Sequence, residues 1–423
     1  MRNFPARTGA LILPFVIGLC LCAQPGRAEE LSVTSSETKP VPIEDPGLGI
    51  FSRLPFELTL SVRGGYDDNV TTSDVFKQGS WFTNGNAALS YEFGSPRTQL
   101  RLAVAAGVTY FWESIRNTGQ DTNDYDINST IDFSLNHKAT ARLTLIATCY
   151  LTYQTEPDFA LAQGYNRRGA NYFYTSDKFT GIYLWTPRFS TASSYTFGAI
   201  QYDDEIVARF GDRFDNTFGN EFRFLVWPTT LLIAEYRYLF VAYDSIPRDT
   251  TSHFVLAGVD HSFNPRLSAS LRAGAQFRHY EEPESMASDR TSPYFEGTLK
   301  YSVAKETSVS WTNRYSIEDT DVAISPSRET FRTGLSARHN LTPRVSASLR
   351  AYYVHDDYQS LNMPGAVSTA FTEDAIDFAV SCRYSVTRYF GVEAGFNHTE
   401  VTSDVALREY SRNRYWAGLN LSF

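Results

Sequence analysis

Sulfur-containing residues and long apolar runs are scarce in this sequence. Its 423 residues include 3 Met and 4 Cys, and two of the cysteines, Cys20 and Cys22, lie near the N-terminus. Cys149 and Cys382 are far apart, and each occupies an apolar position of an alternating segment, so we expect neither a disulfide nor a cysteine metal site. Beyond the N-terminal stretch there is no run of about 18 apolar residues, which excludes an inner-membrane helix.

Patterns that would indicate catalysis or cofactor binding are also missing. The sequence has no glycine-rich phosphate loop and no nucleotide motif. His279, His355 beside Asp356, and His398 near Glu400 lie near segment ends, but no serine or aspartate constellation of a hydrolase accompanies them. Acidic runs occur without the regular ligand spacing of a calcium loop, so we interpret them as solvated loops. We therefore predict no enzyme, no cofactor and no metal site.

The composition is rich in aromatic residues and poor in net hydrophobicity. Aromatic residues make up 15% of the chain, with 26 Tyr and 30 Phe, while mean hydropathy is −0.30. The formal net charge is −9. Residues 1–28 hold three arginines and no acidic residue, so their removal would change the charge to −12. This balance argues against nucleic acid as a partner.

The N-terminus has the features of a secretory signal peptide. Two arginines precede an apolar stretch from Gly9 to Ala23. Small residues then precede a cleavage site that we place after Ala28. The alternative, a single membrane anchor, is disfavoured because the stretch is short and contains Pro14. We therefore predict a signal peptide at 1–28 and a poorly ordered, proline-rich periplasmic lead-in at 29–55.

Apolar and polar residues alternate along most of the chain after this lead-in. One segment sets the apolar Leu267, Ala269, Leu271, Ala273, Ala275 and Phe277 against the intervening Ser268, Ser270, Arg272, Gly274, Gln276 and Arg278. Segments 142–153 and 345–353 show the same alternation. Side chains on a strand point to opposite faces with a period of two, so each segment predicts a strand with one apolar and one polar face.

Short and long connections take turns between these segments. The short ones contain Ser95-Pro96, Thr186-Pro187, Trp227-Pro228, Asn264-Pro265 and Thr342-Pro343, with weaker ones near 138–139, 304–305 and 386–388. The longer ones are polar and lie at 114–123, 156–173, 245–250, 281–289, 320–327 and 359–371. Hairpins with short turns at one end and long loops at the other predict about 18 strands, in a range of about 16 to 20. The assignment is least clear near 173–189, where Tyr172 to Tyr174 also fit the preceding loop.

These strands are more typical of a membrane barrel than of a soluble sheet. Predicted segments of about 12 to 16 residues exceed the usual 5 or 6 residues of soluble strands, which disfavours a β-sandwich. A backbone that crosses lipid must pair all its polar groups internally, and for strands only a closed barrel achieves this. The predicted fold class is all-β: a transmembrane, antiparallel, up-and-down β-barrel over residues 56–423.

The last segment carries a candidate assembly signal. Tyr415, Leu419, Leu421 and the terminal Phe423 share the apolar face of this segment. They resemble the C-terminal β-signal by which assembly machinery recognises outer-membrane barrels. We accordingly expect the barrel-assembly machinery, outer-membrane lipid and lipopolysaccharide as partners. We also expect both termini in the periplasm, with the short turns.

Residues 56–423 resemble the β-barrel porin families of Gram-negative bacteria. The likeness is carried by Gly65-Tyr66-Asp67-Asp68-Asn69-Val70, by Arg213-Phe214-Asp215-Asn216, and by Pro-Arg turns that begin at Pro187, Pro265 and Pro343. The resemblance implies an outer-membrane β-barrel and leaves its substrate open. Some relatives accompany exopolysaccharide export systems, which makes the export of an acidic polysaccharide an alternative function.

Basic side chains outnumber acidic ones on the polar faces of the predicted strands. The residues that we predict to line the pore are Arg101, Arg223, Arg237, Arg272, Arg278, Arg314, Arg332, Arg350, Glu221 and Glu235, and Arg338 and Arg383 share their orientation. They would form either a cationic path for an anionic solute or polymer, or a ladder of structural ion pairs. The predicted function is a channel for small hydrophilic solutes, including anions. A structural or surface-binding barrel with an occluded lumen is a further alternative.

Overall fold

The computed structural model of the protein describes the following residues: 56–113, 115–117, 120–121, 124–160, 168, 170–281, 288–303, 307–320, 325–360 and 370–423. The predicted signal peptide at 1–28 and lead-in at 29–55 lie outside the described residues and remain predictions.

Most of the described chain forms β-strands. The strands are β1 Phe56–Asp67, β2 Ser80–Gly94, β3 Thr98–Phe111, β4 Arg116–Asn117, β5 Gln120–Asp121, β6 Tyr125–Lys138, β7 Leu143–Gln154, β8 Tyr172–Thr186, β9 Phe189–Tyr202, β10 Arg213–Trp227, β11 Thr230–Tyr243, β12 Thr250–Asn264, β13 Leu267–Tyr280, β14 Arg290–Val303, β15 Thr307–Glu318, β16 Arg328–Thr342, β17 Val345–Tyr358, β18 Phe371–Ser385, β19 Phe390–Ser403 and β20 Tyr410–Ser422. One short helix, α1 Glu205–Gly211, lies between β9 and β10.

Eighteen of these strands form one closed antiparallel barrel. Each strand pairs with its neighbours in the chain, the short hairpin β4–β5 excepted, and β1 closes the ring by pairing with both β2 and β20. The predicted fold class and the predicted count of 18 strands are therefore confirmed. In the part of the chain that the structure describes, no helix is long and apolar enough to span a membrane.

The barrel has an apolar outer face and a polar inner face, as the alternation predicted. Large apolar side chains are exposed on the outer face, for example Val62 at 58%, Phe218 at 52% and Leu419 at 51%. Asp177 is an exception, because it occupies an outward position of β8, where its carboxylate accepts a hydrogen bond from the Thr175 hydroxyl at 3.1 Å. The polar parity of the strands faces the lumen and supplies the groups described below.

The two ends of the barrel differ in their connections. At one end, which we call the turn end, the chain reverses over two to four residues, and this end holds Phe56 and Ser422. At the other, which we call the loop end, the connections are longer, and loops at 68–79 and 203–212 add to those that the sequence predicted. The sequence did not predict α1, whose N-terminus is capped by the Asp204 carboxylate at 2.9 Å from the Ile206 amide.

The proline-containing turns share one hydrogen-bonding scheme, which explains their recurrence. Thr186, Asn264 and Thr342 each accept hydrogen bonds from the amides two and three residues later, at 2.8–3.3 Å. Ser95 does the same before Pro96. A Ser, Thr or Asn oxygen thus satisfies the turn amides, and the following proline fixes the backbone at the position that the turn requires.

The least certain segment of the sequence forms a regular strand. β8 begins at Tyr172, and Tyr172 and Tyr174 point inward, where they pack with Ile200 and Tyr202 of β9. These aromatic residues therefore belong to β8 and not to the preceding loop. Local alternation is weak here because β8 carries apolar residues on both faces.

Candidate functional site

A cluster of charged side chains inside the loop end joins the first strand to the last. The guanidinium of Arg412 on β20 lies 2.6 Å from the carboxylate of Asp67 on β1, and the Arg414 guanidinium is 3.0 Å from the same carboxylate. Asp67 is fully buried. Because β1 and β20 are the two ends of the sheet, this cluster closes the barrel as well as lining it.

The residues after Asp67 extend this junction. Asp68 accepts hydrogen bonds from the backbone and side-chain amides of Asn413, at 2.7 and 2.9 Å. The Asn69 side chain donates to the Ser411 carbonyl at 2.9 Å. Val70 is fully buried against aromatic residues of β2 and β3. The motif that carries the family resemblance is therefore the clasp between the first and last strands.

The loop between β7 and β8 folds into the barrel, and we call it the crossing loop (155–171, of which the structure describes 155–160, 168, 170 and 171). The Glu156 carboxylate accepts from Arg412 at 2.6 Å and from Arg414 at 2.8 Å. Its backbone carbonyl accepts from the Tyr172 hydroxyl at 3.1 Å. Glu156 thus connects the start of the crossing loop to Arg412 and Arg414 on the distant strand β20.

Phe159 of the crossing loop packs against the opposite inner wall. Phe159 is 8% exposed and sits in an apolar cluster of inward-facing side chains from β17 to β20, namely Tyr352, Val354, Ala375, Val401 and Tyr410. β17 lies nine strands from β8 in either direction around the ring. An apolar patch of the inner wall is therefore covered by the Phe159 ring from the other side of the lumen.

Arg168 of the crossing loop contacts the wall formed by β3 and β6 and the loop after β1. The Arg168 guanidinium forms an ion pair with Asp126 and lies 5.0 Å from the centre of the Phe111 ring. The Arg168 amide donates to the Thr72 hydroxyl at 2.9 Å. The crossing loop is therefore held at three places on the inner surface: by Glu156, by Phe159 and by Arg168.

A second inward feature lies on the other side of the loop end. The backbone of Ile317 exchanges hydrogen bonds of 2.9 and 3.1 Å with the Gln276 side chain instead of continuing its pairing with β14. Asp319, the next-but-one residue, forms an ion pair with Arg278 and accepts from the Tyr243 hydroxyl at 3.3 Å. The end of β15 thus bends over the inner wall and narrows the lumen from this side.

Electrostatics favour the ionised form of Glu156. Burial by itself raises the pKa of this carboxyl, but the Arg412 and Arg414 guanidiniums outweigh burial and hold the pKa well below its ordinary value of 4.5. A nearby opposite charge stabilises the charged form of a carboxyl. Contact between the crossing loop and β20 therefore depends on an ionised Glu156.

The structure places all the predicted pore-lining residues on the inner face and shows that most are ion-paired. Seven of the eight predicted arginines lie within 4.0 Å of a carboxylate, and the pairs are Arg101–Glu92, Arg223–Glu221, Arg237–Glu235 and Glu296, Arg272–Asp260, Arg278–Asp319, Arg314–Glu318 and Arg332–Glu318. Arg350 is exposed on the inner face and makes no ion pair with the described residues. The structure thus brings together an ion-pair ladder and leaves Arg350 outside it.

The histidines lie on the outer face, away from the lumen. His355 Nδ1 is 2.8 Å from the Asp374 carboxylate, while its sequence neighbour Asp356 points inward and binds Arg328. His398 contacts Asn413 and Glu400. Over the described ranges, no three His, Cys, Asp or Glu side chains gather as metal ligands.

The candidate assembly signal lies on the outer face of β20. Tyr415, Leu419 and Leu421 are exposed there at 54%, 51% and 38%. The ring of Phe423 stacks on Tyr389 of the preceding turn, with 6.2 Å between ring centres. Recognition of this face by assembly machinery remains a prediction.

Several solved structures resemble the barrel. They include OccAB4 of Acinetobacter baumannii (9% identity, 88% of this chain and 99% of that chain, TM-score 0.44) and OccK1 (OpdK) of Pseudomonas aeruginosa (12%, 87% and 99%, 0.45). A BenF-like porin of Pseudomonas fluorescens Pf-5 gives 11%, 87% and 99%, with a TM-score of 0.46. A comparison with curated proteins found no match.

The sequence matches one protein family over the whole barrel. The match covers residues 56–423, from the first residue of β1 to the C-terminal Phe423, and the family is described as "Putative beta-barrel porin 2". The matched range includes the clasp, the crossing loop and the ion-pair ladder. The chain therefore belongs to this family of β-barrel porins of the outer membrane.

Proposed function

We propose that this protein is an outer-membrane channel through which small hydrophilic solutes pass. The observation that supports the proposal most strongly is the sorting of side chains in a closed barrel: apolar groups cover the outside, while arginines, carboxylates and hydroxyls line the inside. An 18-strand barrel is wide enough to leave an aqueous path between its walls. Such a path suits solutes that cannot dissolve in lipid.

The crossing loop would set the width of this path near the loop end. Its Phe159 ring lies against the far wall, and its Glu156 carboxylate binds β20. A loop held at both walls divides the lumen and reduces the cross-section through which a solute can move. In this proposal the loop end faces the cell exterior and the turn end faces the periplasm, together with both termini.

A barrel with an occluded lumen is the second candidate, and the same loop supports it. The crossing loop and the inward bend at Asp319 both occupy the loop end, from opposite sides. If they fill it entirely, the protein would serve a structural or surface-binding role. Export of an acidic polysaccharide remains an expectation from the family resemblance, and a narrowed loop end favours small solutes over a polymer.

The outward face of the last strand also suggests how the barrel is assembled in the membrane. We propose that the barrel-assembly machinery recognises the outward face of β20 at Tyr415, Leu419, Leu421 and Phe423, and that lipid and lipopolysaccharide surround the inserted barrel. The strand is the last to join the sheet in sequence and pairs with β1. Recognition of this strand before closure would leave the Asp67 clasp to form last.

Conductance measurements on the detergent-purified mature protein test the channel. In planar bilayers we expect stepwise conductance for the wild type and larger steps for Phe159→Ala, because the alanine removes the contact that holds the loop against the far wall. Phe76→Ala, which alters a Phe that is 50% exposed in another loop, is the matched control and should resemble the wild type. Conductance in Phe159→Ala alone would favour the occluded barrel, and its absence from both proteins would contradict the channel.

A further inference from the structure

The inner wall of β16 to β18 near the turn end is basic and contains no described acidic side chain. Its inward positions hold Arg338, Arg350 and Arg383 together with Ser336, Ser348 and Ser381. We call these six residues the Ser/Arg wall. They lie on three adjacent strands, so they form one continuous surface and not isolated charges.

The strand register places these groups close together. Ser348 is directly opposite Arg338 on one side and Ser381 on the other, and Arg350 is opposite Ser336. Arg338 and Arg350 are therefore diagonal cross-strand neighbours, whose separation is about 7–8 Å. The Ser348 and Ser381 hydroxyls are 2.6 Å apart. Two flexible guanidiniums thus flank a pair of hydroxyls.

Carboxylates near this surface are bound by other groups. Asp377, which is diagonal to Arg350 across β17 and β18, accepts from Asn397 at 2.9 Å and from Thr399 at 2.7 Å. On the neighbouring strand β19, Glu393 lies directly opposite Arg383 and attracts it, and the same carboxylate forms an ion pair of 2.6 Å with Arg63. Arg338 and Arg350 make no ion pair with any described residue, and the charge that acts on Arg338 is that of Arg383, which repels it.

Arg338 and Arg350, the two arginines of the wall without a described carboxylate partner, should attract counter-ions. Arginine presents a planar fork of donors that matches a carboxylate or phosphate with two hydrogen bonds, and serine hydroxyls can donate to the remaining oxygens. Arg350 is exposed to the lumen, so a solute in the lumen can reach it. The inner wall elsewhere offers arginines that already bind carboxylates of the protein.

We propose that the Ser/Arg wall is a binding site for small oxyanions, carboxylates or phosphates, and that it makes the channel anion-selective. The proposal rests on the channel function argued above and names the solute class that the channel prefers. A ring or patch of fixed arginines raises the local anion concentration and excludes cations. The guanidiniums would bind the negative charge of an oxyanion, and the neighbouring serine hydroxyls would donate hydrogen bonds to it. The rest of the solute would not contribute to binding.

The test compares Arg338→Gln/Arg350→Gln with Arg188→Gln/Arg266→Gln in planar bilayers. Both variants lose two positive charges at the turn end, but Arg188 and Arg266 are exposed turn residues outside the wall. Under a KCl gradient at about 0.1 M, where charges act over about 10 Å, the wild type and the control should prefer chloride. The wall variant should lose at least half of this preference. Equal selectivity in the three proteins, or cation preference in the wild type, would overturn the proposal.

Block of the chloride current identifies the ligand class. Inorganic phosphate and acetate should each reduce the current in the wild type and in the control, and several-fold higher concentrations should be needed in the wall variant. Block by an oligogalacturonate alone, without any effect of phosphate or acetate, would overturn the assignment to small oxyanions. A lack of conductance in every protein would contradict the channel itself, whereas conductance without selectivity contradicts only the oxyanion site.

Discussion

The two ends of the lumen use arginine in opposite ways. At the loop end, Arg412 and Arg414 share the buried carboxylate of Asp67, and Glu156 of the crossing loop joins them. Near the turn end, Arg338 and Arg350 face the lumen without a described carboxylate partner. The same side chain therefore holds the structure together at one end and is available for a solute at the other. The partners of an arginine, and not its position on the polar face, decide its role.

The loop-end cluster should carry far more stability than an ion pair near the turn end. Asp67→Asn removes the buried carboxylate between Arg412 and Arg414, and we expect a loss of about 3 kcal/mol because buried charges lose their partner. Glu92→Gln is the control, since the Glu92 side chain is 58% exposed and lies 3.7 Å from Arg101, and it should cost about 0–1 kcal/mol.

Heating the samples to a series of temperatures before electrophoresis on an unheated gel measures this difference. The readout is the temperature at which the band of the folded barrel disappears. Detergent-solubilised Asp67→Asn should lose the folded form at a clearly lower temperature than Glu92→Gln. Similar melting of the two variants would mean that the cluster does not close the barrel. The comparison between the two ends would then have no energetic basis.

Acid should release the crossing loop. Because the pKa of Glu156 is depressed in the folded protein, its contact contributes stability above its ordinary value of 4.5 and loses it as pH falls through the lower folded value. We expect the conductance of the wild type to rise as pH is lowered from 7 to about 3. Glu156→Gln should show the raised conductance already at pH 7. The substitution should weaken the binding of the crossing loop to β20 by about 1–2 kcal/mol.

Glu205→Gln provides the matched control for this titration. Glu205 is an exposed acid at the loop end, in α1, and forms no ion pair with the described residues of the crossing loop. Its loss should leave both the conductance and its pH dependence unchanged. A pH response that persists in Glu156→Gln would assign the effect to another group.

The smallest effect should come from removal of a complete ion pair. Glu221→Gln/Arg223→Gln eliminates a pair of 2.8 Å on the inner face without a change in net charge. Because the two charges already compensate each other, ion selectivity should stay within about 20% of the wild type. A selectivity change as large as that of Arg338→Gln/Arg350→Gln would show that paired and unpaired arginines contribute alike.

Much of the fold follows from the local alternation of apolar and polar residues. The alternation assigns each charged side chain to the inner or outer face of the barrel, but it does not identify its ion-pair partner. The alternation of Leu267 to Phe277 with its polar neighbours predicted β13 and its orientation correctly. The alternation also placed Arg272 and Arg350 on the inner face. It could not show that Arg272 binds Asp260 whereas Arg350 binds no carboxylate among the described residues, because pairing depends on the register between strands and on the direction of each side chain.

The crossing loop carried no signal that could have revealed it. Phe159 is a single aromatic residue in a polar connection, and its contacts on β17 to β20, from Tyr352 to Tyr410, lie in a distant part of the chain. The clasp motif beginning at Gly65 was noticed only as a family resemblance, yet its Asp67, Asp68 and Asn69 bind the last strand. Contacts between the ends of a chain leave no periodic trace in either segment.

The sequence by itself determined the strands, their two faces, the hairpin turns and the closed barrel, because side-chain alternation and turn residues act over a few neighbouring positions. The tertiary structure alone decided which arginines are neutralised, where the lumen is narrowed and how β1 is fastened to β20. These features depend on groups that closure of the ring brings together from distant parts of the chain, and electrostatic pairing acts only at the few ångströms that closure establishes.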